Sequence, residues 1–174
     1  MSAAAVPLLS IPVGVVMERR KAASQWTDFV WRVVGVLPGD PDMEVWTPLR
    51  EEEDATLFYA GHASVDLYRS ETSRYRENLA SGAASIWVVM SPSEGAWPYV
   101  VTAATADPAE GESLTEAATN LVEPVPMPMP EILRDAIDRF IAGYHVEREE
   151  FVKRKRRGAD PEALARRVER GRGE

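Results

Sequence analysis

An α+β domain is what this sequence predicts: an antiparallel sheet of five to six strands, about three helices on one face and a basic C-terminal tail. Three observations carry that expectation. Runs rich in β-branched and aromatic residues recur between positions 11 and 104, separated by brief turn signals. Two pairs of these runs lie close enough in sequence to be hairpins, and hairpin strands are antiparallel. Near the C-terminal third, Ile132, Leu133, Ala136, Ile137, Phe140, Ile141 and Tyr144 fall at helical spacing as one apolar stripe, opposite Arg134, Asp135, Asp138 and Arg139. At 174 residues and 45% hydrophobic content, the length suits one core. The expected division is a flexible stretch over 1–10, a single α+β domain over 11–147, and a basic, partly helical or disordered tail over 148–174.

The first strand is expected over 11–20, where alternation puts Ile11, Val13, Val15 and Met17 on one face and Val16, Glu18 and Arg20 on the other. Residues 29–37 form the second, stopped by Pro38-Gly39-Asp40-Pro41. Residues 46–50 are a short extended piece, and the acidic run 51–54 is a solvated loop. Segments 56–60 and 63–69 flank Gly61-His62, which reads as a tight hairpin turn. A helix follows over 70–80, with Gly82 as its stop. Residues 85–91 and 98–104 pair around the loop 92–97. Asp107-Pro108 supplies a cap and a pre-set first turn for another helix, although Gly111 weighs against it. Prolines at 124, 126 and 128 make 121–129 extended and confine it to a sheet edge or a surface strap. Pro130 and Glu131 then open the long helix, whose apolar stripe fades beyond His145.

Charge is unevenly spread. Net charge is −8, yet residues 148–174 hold ten Lys/Arg against six Asp/Glu, while residues 1–147 hold ten against twenty-two. The acidic body repels nucleic acid, which leaves only weak contact through the tail. With no cysteine, disulfides, thiol catalysis and cysteine-ligated metal centres are excluded. The first 17 residues are an uncharged, moderately apolar run that precedes the cationic Arg19-Arg20-Lys21, the reverse of an export signal, and Pro7, Pro12 and Gly14 interrupt it. No membrane span is expected, and the location implied is the cytoplasm.

Cations and aromatics concentrate in few places. Arg19, Arg20, Trp26 and Trp31, with Lys21 and Arg32, gather at the end of the first strand, where a guanidinium could fork onto a phosphate or carboxylate or stack on a flat ring. Strand-end arginines at the surface and tryptophans in the core are the plainer account. Arg69 and Arg76 stand beside Glu71, Arg74, Tyr75 and Asn78 at the middle helix, a set that helix-surface ion pairs also explain. His145, with Glu147, Glu149 and Glu150 near it, suits either a weak cation site or a place near a helix C-terminus. Lys153, Arg154, Lys155, Arg156 and Arg157 form a basic run able to meet RNA, anionic lipid or an acidic protein. There is no nucleophile elbow, no phosphate loop and no dinucleotide fingerprint, so no catalytic residue and no metal site is assigned.

Gly14-Val-Val-Met-Glu-Arg-Arg20, Val30-Trp-Arg-Val-Val-Gly-Val-Leu-Pro-Gly39, Phe58-Tyr-Ala-Gly61, Ala84-Ser-Ile-Trp-Val-Val-Met90, Val122-Glu-Pro-Val-Pro-Met127 and His145-Val-Glu147 together resemble the proteobacterial family numbered 3305 among the domains of unknown function. The likeness runs from about Pro12 to Arg157. Members of that family are typically encoded beside molybdenum-dependent formate dehydrogenases and their maturation factors. The resemblance therefore implies a non-catalytic accessory protein in assembly or cofactor loading of such an enzyme. Its partner would be a molybdoenzyme subunit or maturation protein, and its only cofactor contact a transient one with molybdopterin guanine dinucleotide. Some members are labelled as a guanine-dinucleotide nucleotidyltransferase, whose Gly-rich phosphate loop has no counterpart after Met17-Glu-Arg-Arg-Lys21. A cofactor-processing enzyme is the first alternative, and a tail-mediated RNA- or membrane-associated protein the second.

Overall fold

A computed structural model describes residues 5–116 and 122–156. Strands β1 (Leu9–Lys21), β2 (Phe29–Pro38), β3 (Thr47–Glu51) and β4 (Ala55–Leu67) come first, then a 3-10 turn at Arg69–Glu71 and helix α1 (Thr72–Ala80). β5 (Ser85–Pro92), β6 (Tyr99–Thr105), α2 (Pro108–Glu116), β7 (Val122–Pro128) and α3 (Glu131–Arg156) follow.

The architecture is α+β, as expected, but the sheet is mixed and has seven strands. Its order is β2-β1-β4-β6-β5-β7, with β3 paired to β4 alongside. β4 and β6 run parallel at Val65 and Ala104, while the remaining pairs are antiparallel. The physical reason lies in the connection. Because α1 separates β4 from β5, the chain can skip a position and let β6 insert between them. Period-2 patterning carries no information about which strands become neighbours.

A second correction concerns Gly61-His62. No hairpin forms there, since β4 passes straight through as one 13-residue strand matching the 13 residues of β1. Both halves pair with β1, and the register shift opposite Val15 and Val16 absorbs one extra residue as a bulge. Gly61 supports it at φ +122, a value open to glycine and strained for any other residue.

Alternation along β1 behaves as expected: Val13, Val15 and Met17 are fully buried and join the core with Phe58, Val65, Leu67, Ile86, Val88 and Met90. The sheet curls until its outer strands β2 and β7 come together. From Val125 onward the odd-numbered positions of β7 face β5, as the Met129 N–H donating to Ala84 O shows just beyond its end. The outward positions over this last part of β7 are therefore Pro126 and Pro128, which leaves that stretch of the edge with carbonyls and no N–H to donate. The barrel-like curl stays without a closing ladder among the described residues.

The helices do not share one face. Leu133, Ile137, Phe140 and Ile141 of α3 and Tyr75 of α1 join the main core. α2 packs on the opposite side of β5, against Trp87, which alternates with the core residues Ile86 and Val88. Gly111 explains that contact, because a Cβ there would lie 2.4 Å from the Trp87 ring. Asp107 caps α2 as expected, its Oδ1 accepting from the Ala109 N–H at 2.9 Å. Ile132 departs from the apolar stripe and is 67% exposed. Among the described residues no helix is long and apolar enough to cross a membrane.

Candidate functional site

Because β1 points its odd-numbered residues inward, Arg19 emerges on the core face at the strand's end, directly opposite Trp31 of β2. Its guanidinium carbon lies 4.7 Å from the Phe29 ring centre, 5.2 Å from Phe58 and 5.8 Å from Trp31. Two loops bring further rings. Trp46, from the β2–β3 connection, stacks on Trp97, from the β5–β6 connection, at 5.1 Å and 18°. Trp31 meets the edges of Trp46, Trp97 and Tyr99 at 5.7, 6.3 and 6.3 Å. Trp46 holds a φ of +70, and its N–H donates to Tyr59 O. That backbone strain, of order 1–3 kcal/mol, is sustained by burying an indole that is only 8% exposed.

No carboxylate pairs with Arg19 among the described residues. The site is thus a half-buried cation walled by aromatic faces, with N–H donors not taken up by an ion pair. Such a group can fork onto a flat anion while rings contact its apolar body.

Arg20 belongs to the other face of the sheet. It donates twice to Glu18 at 3.1 Å, and Arg32 adds a 2.9 Å bond to the same carboxylate. Hydrogen bonding from Arg20, helped by Arg32 and opposed by burial, holds the Glu18 carboxyl below its usual range. Trp26 lies in the β1–β2 loop, 88% exposed and apart from the ring cluster. The expected group of Arg19, Arg20, Trp26 and Trp31 therefore divides: Arg19 and Trp31 meet, Arg20 turns away, and Trp26 stands at the rim.

Around α1 the arrangement serves the fold. Asn78 donates to Ser85 O at 2.8 Å and Ala106 O at 2.9 Å and accepts from the Ser85 N–H. Burial pushes the Tyr75 phenol up to about 12, and its oxygen accepts from the Tyr68 N–H. Arg74 bridges Glu71 and the buried Asp107, both at 2.8 Å. Arg69 is exposed in the 3-10 turn. Arg76 reaches His145 on α3, Nη1 to Nε2 2.8 Å, which ties the two helices together. His145 is not near a helix C-terminus, because α3 runs on to Arg156. Lys153, Arg154, Lys155 and Arg156 occupy the last turns of that helix, and Arg157 lies outside the described residues. No group of three or more metal-ligating side chains occurs among the described residues.

Sequence reasoning missed Phe58, Trp46, Trp97 and Tyr99. The spacing that makes them neighbours exists only across strands and loops far apart in the chain. Trp97, placed in the expected loop 92–97, was the one trace they left in the sequence.

Set against family models, residues 12–157 match one, a span that begins within β1 and takes in the other six strands. The chain belongs to the family described as Protein of unknown function (DUF3305). No curated protein matches it, and no solved structure does. Arg19, Trp31, Trp46, Phe58 and Trp97 all fall inside the family span.

Proposed function

We propose that the protein is a non-catalytic accessory factor in the assembly or cofactor loading of a molybdenum-dependent formate dehydrogenase. It acts by binding, either to a partner subunit or to phosphates of the molybdopterin guanine dinucleotide cofactor. One observation supports a binding role above the others: the half-buried Arg19 guanidinium, stacked on three aromatic rings and left without a carboxylate partner among the described residues. The family match over residues 12–157 ties the chain to its family, and the molybdoenzyme direction is what the family resemblance implies.

The test is genetic. A strain lacking this gene should lose most formate dehydrogenase activity and regain it with the native gene. Complementation by Arg19→Met, at equal protein level, should leave activity low. Unchanged formate dehydrogenase activity in the deletion strain overturns the proposal.

A further inference from the structure

We infer that the aromatic end of the sheet is a docking site for a protein segment that sets one side-chain carboxylate beside an aromatic or branched apolar residue. This rests on the binding role proposed above and selects the partner protein over the cofactor's phosphates.

Charge makes the selection. Arg19 is the one cation of this end that no carboxylate engages among the described residues: Arg20 and Arg32 hold Glu18 on the opposite face, Lys21 lies 3.8 Å from Asp54, and Arg50 lies 2.9 Å from Glu52. A single guanidinium balances a carboxylate and matches its planar fork, whereas a phosphate monoester carries close to two charges at neutral pH. The body's acidity adds a limit. A polyacidic segment would be repelled by a chain of net charge −8, so the favoured segment holds one carboxylate in an apolar stretch.

Apolar area makes the second argument. Phe29, 42% exposed beneath the Arg19 guanidinium, carries the ring cluster out to the surface, and Trp26, 88% exposed, lies three residues before it in the β1–β2 loop. That is a reach suited to several side chains, not to one small anion.

The test uses the full chain, labelled with nitrogen-15, and follows the Arg19 Nε–H and the indole N–H resonances of Trp31 and Trp97. Two probes are titrated: the blocked pentapeptide acetyl-Gly-Leu-Glu-Phe-Gly-amide and its Gln counterpart, with phenyl phosphate in a separate arm. The Glu peptide should shift all three resonances and bind about tenfold tighter than the Gln peptide, as a charge-assisted hydrogen bond provides. Arg19→Met should erase that difference at the indole resonances, and Arg19→Lys should retain part of it. If Arg19→Met fails to fold, the Arg19→Lys series and the phosphate arm decide. Equal binding of the two peptides, binding of neither, or tighter binding of phenyl phosphate than of the Glu peptide each overturns the inference. None of those outcomes changes the genetic test, so the two ideas fail separately.

Discussion

Asn78 shows how much a single buried amide can hold. It ties the end of α1 to the start of β5 and the end of β6, and it is 4% exposed. Asn78→Leu strands the Ser85 N–H and the Ala106 carbonyl, and each orphaned group costs about 1–3 kcal/mol. A loss of about 2–4 kcal/mol in urea denaturation is expected, against at most a few tenths for a surface change such as Glu77→Gln. Glu18 gives a pH signature. Its carboxyl is held low in the folded chain, first by Arg20, so it contributes stability above its ordinary value of 4.5 and loses it as pH falls through the lowered folded value. Both arginines are about half exposed or more, which limits the contribution through solvent screening. Glu18→Gln should cost about 1–2 kcal/mol at pH 7, and the gap from the native chain should narrow toward pH 3. A gap that stays constant across that range would mean that Glu18 acts through shape alone.

Within single elements, the α2–β5 contact sets two effects against each other. Replacing Gly111 by alanine improves helix propensity by about 1 kcal/mol. The new Cβ, however, falls 2.4 Å from the Trp87 ring, and overpacking of this kind costs about 1–3 kcal/mol or more. Clash wins, so Gly111→Ala should lower the melting temperature, and a Trp87→Leu change in the same chain should return part of the loss. The long helix offers a contrast that periodicity could not draw. Sequence spacing puts Ile132 and Ile137 in one apolar stripe, yet one is 67% exposed and the other fully buried. Ile132→Glu should shift stability by no more than about 0.5 kcal/mol, whereas Ile137→Asp should abolish cooperative unfolding. Element identity was legible in the alternation of β1, the prolines of β7 and the capped start of α2, but β4 was read as two strands. The bulge at Gly61 was not legible, because a glycine beside a polar residue signals a turn or a bulge equally until a pairing partner is known.

Across the whole molecule, the net charge of −8 and a sequence pI of about 4.9 make self-repulsion a general term at neutral pH. Raising the salt from about 0.02 to about 0.3 M shortens the Debye length several-fold and should raise the melting temperature by a few degrees. A fall on adding salt would show instead that surface ion pairs such as Arg50–Glu52 dominate. The curled sheet also explains why the candidate site was only half readable. Arg19 and Trp31 are a cross-strand pair, and their segments neighbour one another in sequence, so cation and ring could be placed together early. Phe58, Trp46 and Trp97 reach them only because β4 lies on the other side of β1 and two loops fold over the same end. By itself the sequence determined the α+β class, the faces of β1, the extended, non-central character of β7, most of the core stripe of α3 and the acidic body with its basic tail. These follow from local rules of period, proline and charge. Strand order, the parallel β4–β6 pair, the curl and the aromatic enclosure of Arg19 were decided by tertiary structure, because they depend on which distant surfaces bury one another.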